Sequence, residues 1–178
     1  PLRVGILGAA RIAELAIVQP ARATGTRMVT VAARSRRRAE AFAAEHGVER
    51  AADSYAEVLA DAEVEVVYNP LPNALHGPWI LAAVGAGKHV LSEKPFASTA
   101  DEAAEVRDAA RKAGVTVVEG FHYVFHPVMR RLFALLDTGE LGELLRGEVP
   151  PLDLPPDLRV IEERAAQPEE EHPGKYQQ

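Results

Sequence analysis

The stretch GILGAARIA, residues 5–13, joins an apolar run to an alanine-rich segment through a single glycine. The apolar run predicts a buried β-strand, and the segment after it predicts a helix. Gly8 suits the tight turn between them, because glycine adopts backbone conformations that other residues avoid. The backbone amides that open the helix would point at an anion. The residues predicted to hold a phosphate there are Gly8, Ala9, Ala10, Arg11 and Ile12.

This turn matches the dinucleotide fingerprint G-x-G-x-x-G/A only in part. Ala10 stands at the second position, where it adds a methyl group near the expected pyrophosphate, while Ala13 at the third still permits close helix packing. Any α/β protein can also use glycine at a strand-to-helix turn, so the turn alone leaves both interpretations open.

Short runs rich in valine, isoleucine and leucine recur along the chain and predict five strands. They lie at 2–8, 27–34, 64–70, 88–94 and 115–121. Most lack polar alternation, as buried parallel strands do. Because helical segments separate them, the sequence predicts an α/β fold, a Rossmann-type doubly wound parallel sheet with helices on both faces.

Three local signals refine the helices. Thr99 and Glu102 form a capping-box pattern at the start of one helix that Gly114 would end. Pro20 is expected to kink or stop the first helix. The apolar spacing of a further helix is carried by Val128, Leu132, Leu135 and Leu136.

The composition changes near Pro150, which predicts a dinucleotide-binding domain at 1–149 and an irregular tail at 150–178. The tail is rich in proline and glutamate. The chain has 178 residues and no cysteine, which excludes disulfides and thiolate chemistry. Its net charge of -6 disfavours binding to nucleic acid. We expect a cytoplasmic protein with no membrane span, because no window is apolar enough and no signal peptide is recognisable. No residue spacing suggests a metal site or a serine hydrolase.

The end of the second predicted strand separates NAD from NADP. An NAD site places an acid about 20 residues beyond the glycines, but no acid occurs between Glu14 and Glu40. Five residues there, 34–38, are four arginines and a serine. They could form a solvated basic turn. The interpretation we favour is that Arg34, Ser35 and Arg36 bind the ribose phosphate of NADP, with NAD less favoured.

A second polar stretch, HVLSEKP at 89–95, ends another predicted strand. Glu93 and Lys94 point to opposite faces of an extended strand, so they do not simply neutralise each other. Position alone favours Lys94 as a solvated surface charge over a functional group.

Three blocks together resemble the N-terminal domain of the Gfo/Idh/MocA oxidoreductases. They are VGILGAARIAE (4–14), VVYNPLPNALHGPWILAAVGAGKHVLSEKP (66–95) and VVEGFHYVFHPVMRRL (117–132). The resemblance is greatest to NADP-dependent xylose dehydrogenases and dihydrodiol dehydrogenases. It implies hydride transfer between a nicotinamide and a hydroxyl-bearing carbon of a sugar or diol. It also implies that Lys94, beside Glu93, touches both the nicotinamide ribose and the reacting hydroxyl.

The same resemblance implies further residues lining the cofactor, namely Asn69, Pro70, Leu71, Asn73 and His76. Without it, His76 could equally cap its helix and Pro70 could merely shape a turn.

Family members continue into a second domain, for which no counterpart follows Arg159. We therefore expect a truncated or frame-shifted member that binds NADP weakly, turns over poorly or not at all, and exposes apolar surface through which copies could associate. The alternatives are a non-catalytic dinucleotide-binding module and an inactive remnant.

Overall fold

A parallel sheet of six strands organises the first two thirds of the chain. The computed structural model describes residues 1–140 and residue 142. The strands are β1 (Arg3–Leu7), β2 (Arg27–Ala32), β3 (Arg50–Ala52), β4 (Val66–Asn69), β5 (His89–Ser92) and β6 (Val117–Glu119). They lie in the order β3-β2-β1-β4-β5-β6, and every neighbouring pair is parallel. The predicted doubly wound parallel sheet is confirmed.

The prediction of five strands was one short. β3 contains only Arg50, Ala51 and Ala52, so it lacks the β-branched residues by which a strand is recognised. Its pairing with β2, in which Val31 lies opposite Ala51, holds it at the edge of the sheet.

Helices connect the strands. They are α1 (Gln19–Thr24), α2 (Arg36–His46), α3 (Tyr55–Ala60), α4 (His76–Gly85), α5 (Ala100–Ala113) and α6 (Pro127–Asp137). A π-helical turn at Glu14–Val18 precedes α1, and 3-10 turns lie at Asn73–Leu75 and His122–Phe125. No helix in the described part of the chain combines the length and apolar composition that a bilayer span requires.

Pro20 does not stop the first helix. The π-helical turn runs directly into α1, which places Pro20 in the first turn of the new helical segment. A missing amide costs little there, because the amides of a first turn have no intrahelical acceptor. A local change of winding therefore replaces the expected early stop.

Both faces of the sheet are covered by packed apolar side chains. On one face Leu7, Val29 and Val67 pack with residues of α3, α4 and α5. On the other, Ile6, Val31 and the ring of Tyr68 pack with residues of α1 and α2. In β1 and β4 this division follows from the strand itself, in which successive side chains point to opposite faces. In β2 the register against β1 shifts at Val29, because Met28 lies opposite Val4 and Thr30 lies opposite Gly5.

The predicted limits of α5 are confirmed. The Thr99 hydroxyl accepts a hydrogen bond from the Glu102 amide at 3.1 Å, and Gly114 ends the helix in the left-handed region at a φ of 67°. The glutamate carboxylate reaches one residue further back than a capping box predicts, since it accepts from the Ser98 amide at 2.6 Å.

Tertiary contacts divide the chain into two units, Pro1–Phe121 and His122–Gln178. The described part of the second unit contains a 3-10 turn and α6, which His126 caps by accepting from the Val128 amide at 3.2 Å. The four apolar residues predicted to lie on one helix are in α6. The predicted tail at 150–178 lies outside the described residues, and the domain boundary at 149 stays a prediction.

Candidate functional site

The predicted site residues gather at one edge of the sheet. Because all six strands are parallel, their carboxyl ends lie together, and a polar or glycine-containing turn follows β1, β2, β4 and β5 there. β1 lies between β2 and β4, where the connections diverge to opposite sides. Ligands of doubly wound sheets bind at this switch point.

The turn after β1 requires glycine. Gly8 has a φ of +106°, which L-residues rarely adopt, and a β-carbon there would lie 3.2 Å from Leu71 Cδ2. The Gly8 amide donates to the Ala32 carbonyl of β2 at 2.7 Å, which fixes the turn against the sheet. Of the amides that follow, those of Ala10 and Ala13 donate to the Gly8 and Ala10 carbonyls, at 3.0 Å and 3.1 Å.

The alanines of this turn occupy the places expected of them. Ala13 is fully buried and packs in the core between β1 and the first helix, as the third fingerprint position requires. Ala9 and Ala10 are half-buried, whereas Arg11 and Ile12 are exposed. The turn therefore exposes the larger side chains of Arg11 and Ile12 beside the two half-buried alanines.

The end of β2 presents two polar groups with no described partner. Ser35 is the N-cap residue of α2 but its side chain makes no capping bond, and Arg34 is exposed. Within residues 1–140 and 142, no carboxylate pairs with the Arg34 guanidinium. No acid lies in the first turn of α2. An anion placed here would gain from both the helix dipole and the guanidinium.

The neighbouring arginines divide into two roles. Arg36 already pairs with the carboxylates of Glu40 at 2.8 Å and Asp53 at 2.9 Å. Arg38 instead reaches the turn after β1, where its Nη2 donates to the Ala9 carbonyl at 3.3 Å. Arg38 thus joins the start of α2 to the turn after β1. Sequence spacing alone does not indicate this contact, because it depends on how α2 packs against β2 and β3.

Next to Arg34 lies a shallow hollow of about 250 Å³ with largely apolar walls. Its lining residues are Ala33, Arg34, Ser54, Tyr55, Ala56 and Trp79. The rings of Tyr55 and Trp79 meet edge to face with centroids 5.0 Å apart. Neither aromatic was predicted at this site, since the two residues come from two helices distant in the chain. The chain's only tryptophan was the available signal.

The turn after β4 is shaped by Asn69. This residue is fully buried, its Oδ1 accepts from the Leu71 amide at 3.3 Å, and its Nδ2 donates to the His76 carbonyl at 3.4 Å. Pro70 is half-buried and Asn73 is exposed at the edge. Asn69 therefore fixes the loop, and Asn73 is available to a ligand.

Glu93 and Lys94 separate as their opposite directions predict. Glu93 is only 8% exposed, and its carboxylate accepts a hydrogen bond from the Tyr68 hydroxyl at 2.9 Å. Burial, together with this bond, raises the pKa of Tyr68 well above its usual range. Lys94 is exposed at the ligand edge, and among the described residues it forms no ion pair. The structure therefore leaves the Lys94 ammonium available.

His76 lies beneath the edge and not on it. The ring is fully buried, with Nδ1 2.6 Å from the Pro95 carbonyl oxygen and Nε2 2.6 Å from the Leu71 carbonyl oxygen. It does not cap α4, whose N-cap is Leu75. With no exposed surface, the ring reaches a ligand only through the two loops that it joins.

Glu119, at the end of β6, lies beside the loop that follows β5. The sequence did not predict it as a residue of this region. Its carboxylate accepts from the Phe96 amide at 2.7 Å. Burial raises the pKa of Glu119, an effect partly offset by that amide and by His76. Residues 1–140 and 142 contain no group of His, Asp or Glu side chains that could hold a metal ion.

The topology, the glycine turn and the switch-point site define a Rossmann-type dinucleotide-binding domain. Residues 2–121 match the model of the Gfo/Idh/MocA family, described as an oxidoreductase family with an NAD-binding Rossmann fold. The chain belongs to this family, as its motifs predicted.

Curated relatives include D-xylose 1-dehydrogenase (NADP(+)) 2 of Haloferax volcanii, which is 43% identical over 141 residues, or 79% of this chain and 43% of that protein. dTDP-3,4-didehydro-2,6-dideoxy-alpha-D-glucose 3-reductase of Streptomyces violaceoruber is 39% identical over 145 residues, or 80% of this chain and 42% of that protein. The chain thus spans less than half the length of these relatives.

Solved structures also match this chain over part of their length. KijD10, a 3-ketoreductase from Actinomadura kijaniata in complex with NADP, superposes with a TM-score of 0.73 at 37% identity. The match covers 80% of this chain and 46% of that one. Another structure of KijD10, holding NADP and TDP-benzene, superposes with a TM-score of 0.73 at 36% identity, covering 78% of this chain and 43% of that one.

Proposed function

We propose that this chain is the cofactor-binding part of an NADP-linked oxidoreductase that acts on a hydroxyl-bearing carbon of a sugar or related diol. The observation that carries the proposal is the pair of available groups after β2. Arg34 and Ser35 lie where an NAD site would hold an acid, and Arg38 connects them to the phosphate turn. The NADP complexes of KijD10 support this assignment.

At the adenosine end, the first amides after Gly8 would bind the pyrophosphate, and Arg34 with the Ser35 hydroxyl would bind the ribose phosphate. Arg38 takes the place of the predicted Arg36 as the assisting arginine, because Arg36 already serves two carboxylates. The hollow bounded by Arg34, Tyr55 and Trp79 offers flat surfaces on which an adenine ring can stack.

At the nicotinamide end, Lys94 is the group that assists the chemistry. The nicotinamide, when bound, supplies or accepts the hydride. An exposed ammonium at this edge stabilises the negative charge that develops on a substrate oxygen as hydride leaves the carbon. Glu93 precedes it, and the Glu93 carboxylate accepts a hydrogen bond from the Tyr68 hydroxyl.

The substrate class rests on the relatives. One is a D-xylose dehydrogenase and others reduce keto groups of dTDP-linked sugars. The finer choice among sugars and diols stays a prediction. Self-association of the chain stays a prediction, which sedimentation velocity at several protein concentrations tests.

The proposal is tested by titrating the purified chain with NADPH and with NADH, and then assaying oxidation of pentoses and diols with NADP. We expect saturable binding that favours NADPH. Binding without turnover would favour the non-catalytic dinucleotide-binding module over the enzyme. Equal affinity for the two nucleotides would remove the role given to Arg34 and Ser35.

A further inference from the structure

The peptide group between Pro95 and Phe96, one residue beyond Lys94, is held on both sides by side chains from other elements. Its carbonyl oxygen lies 2.6 Å from Nδ1 of His76, and its amide donates to Glu119 Oε1 at 2.7 Å. The two bonds use both polar atoms of one peptide group. We call His76, Glu119 and this peptide the peptide grip.

The same imidazole also holds the neighbouring loop. Nε2 of His76 lies 2.6 Å from the Leu71 carbonyl, in the loop that follows β4. The ring therefore joins the loops after β4 and β5, the two that carry the residues expected at the nicotinamide. The ring is fully buried, so water does not compete for either bond.

The two side chains also act on each other across this peptide group. Carbonyl oxygens only accept, so a ring nitrogen of His76 bonds to one only while that nitrogen carries a hydrogen. His76 lowers the pKa of the Glu119 carboxyl, against the larger raising effect of burial.

Lys94 needs such support. β5 ends at Ser92, and Lys94 itself is exposed with no ion pair among the described residues. Its backbone is fixed before it by Glu93, whose amide donates to the Asn69 carbonyl at 3.0 Å, and after it by the peptide grip.

We propose that His76 and Glu119 are positioning residues, which hold the Pro95–Phe96 peptide and thereby place the Lys94 ammonium at the nicotinamide. This inference rests on the proposed function, since it presumes that NADP binds with its nicotinamide at Lys94. Neither residue touches the ligand. Their effect should therefore be confined to the nicotinamide end and should operate through Lys94.

The test compares two ligands on the full chain by calorimetry: NADPH, and 2′-phospho-ADP-ribose, which lacks the nicotinamide. For His76→Leu we expect about tenfold weaker binding of NADPH and less than about a twofold change for 2′-phospho-ADP-ribose. His76→Gln, which keeps one donor, should recover part of the loss. Circular dichroism and urea unfolding check that each variant is folded.

A double-mutant cycle with Lys94→Ala shows whether His76 acts through the lysine. If it does, His76→Leu adds little to the loss of NADPH affinity already caused by Lys94→Ala. Full additivity would overturn the inference. Equal losses for both ligands would also overturn it, because they would show a general structural role.

One further variant keeps the inference testable if His76→Leu does not fold. Glu119→Gln keeps an acceptor for the Phe96 amide but removes the charge. It should weaken binding of NADPH and leave binding of 2′-phospho-ADP-ribose unchanged, and equal losses for both ligands would overturn the inference. Failure of the unaltered chain to bind either ligand would overturn the proposed function itself, a result distinct from loss of selectivity in the variants.

Discussion

At the scale of single residues, Arg34 and Arg36 differ in a way that tests the NADP assignment. Arg34 has no described carboxylate partner, whereas Arg36 pairs with Glu40 and Asp53. We expect Arg34→Gln to weaken NADPH binding about tenfold, since a charge-assisted hydrogen bond is lost. Arg36→Gln, the matched control, should change it far less. Fluorescence titration with NADPH measures both, and equal effects would contradict the assignment.

Ser35 tests the same site by the addition of a negative charge, where the Arg34 variant removes a positive one. Ser35→Asp places a carboxylate where the ribose phosphate should lie, so NADPH binding should fall through repulsion between like charges. Binding of NADH should stay the same or improve, because an acid there can accept from the ribose hydroxyl. A parallel fall in affinity for both nucleotides would show that the substitution disturbs the fold and not the phosphate site.

Tyr68 gives a prediction in the alkaline range. Its pKa is raised by burial and by the bond to Glu93. An unfolded tyrosine loses its proton near pH ~10, but folded Tyr68 keeps it, so the free energy of unfolding should fall as pH rises above that value. In Tyr68→Phe this fall should be smaller. Urea unfolding on both sides of pH ~10 measures it, and identical slopes for the two proteins would contradict the pKa shift.

The residue scale also shows what sequence can and cannot predict. The turn at Gly8 and the exposed charge of Lys94 at a strand end could be predicted because both are local features. The roles of these residues toward a ligand stay predictions. Arg38 and Glu119 were missed because their partners, the Ala9 carbonyl and the Phe96 amide, are brought to them only by packing of distant segments. The family resemblance placed His76 among the residues lining the cofactor, but its ring is fully buried. A sequence motif does not show how deeply a side chain lies in the fold.

At the scale of elements, the close approach of α3 to the sheet depends on Gly5 of β1. A β-carbon there would lie 2.6 Å from Val58 Cγ1 of α3. We expect Gly5→Ala to destabilise the protein by about 1–3 kcal/mol through overpacking. Gly85→Ala is the matched control, since no atom lies within 4 Å of its added methyl group. That change should stabilise α4 by up to about 1 kcal/mol.

Urea unfolding separates the two glycine variants. If Gly5→Ala were as stable as the unaltered chain, β1 and α3 would have to be further apart than the structure places them. A loss of stability in Gly85→Ala would show an unrecognised constraint at the end of α4.

Elements were predictable where periodicity and caps agree. The α5 limits followed from Thr99 and Gly114, and the strands with β-branched residues were found. β3 was missed because Ala51 and Ala52 carry no strand preference, and its place is set by pairing with β2. The π-helical turn before Pro20 was not predicted, because a proline marks a disturbance of the helix without saying which form it takes.

At the scale of the whole molecule, ligand binding should stabilise the fold. A ligand that binds only the folded state at about 100 times its Kd adds about 2.7 kcal/mol to the free energy of unfolding. NADPH and 2′-phospho-ADP-ribose should both raise the midpoint of thermal unfolding, and NADH at the same concentration should raise it less. If neither NADPH nor 2′-phospho-ADP-ribose changed the midpoint of thermal unfolding, the proposed binding site would be contradicted.

We expect this folded chain to bind NADP through the turn after β1 and the groups after β2. Calorimetric titration with NADPH and with NADH measures this binding. The expected result is one saturable site per chain, with clearly tighter binding of NADPH. Absence of heat at millimolar NADPH in a folded sample, or equal affinity for NADH, would contradict it.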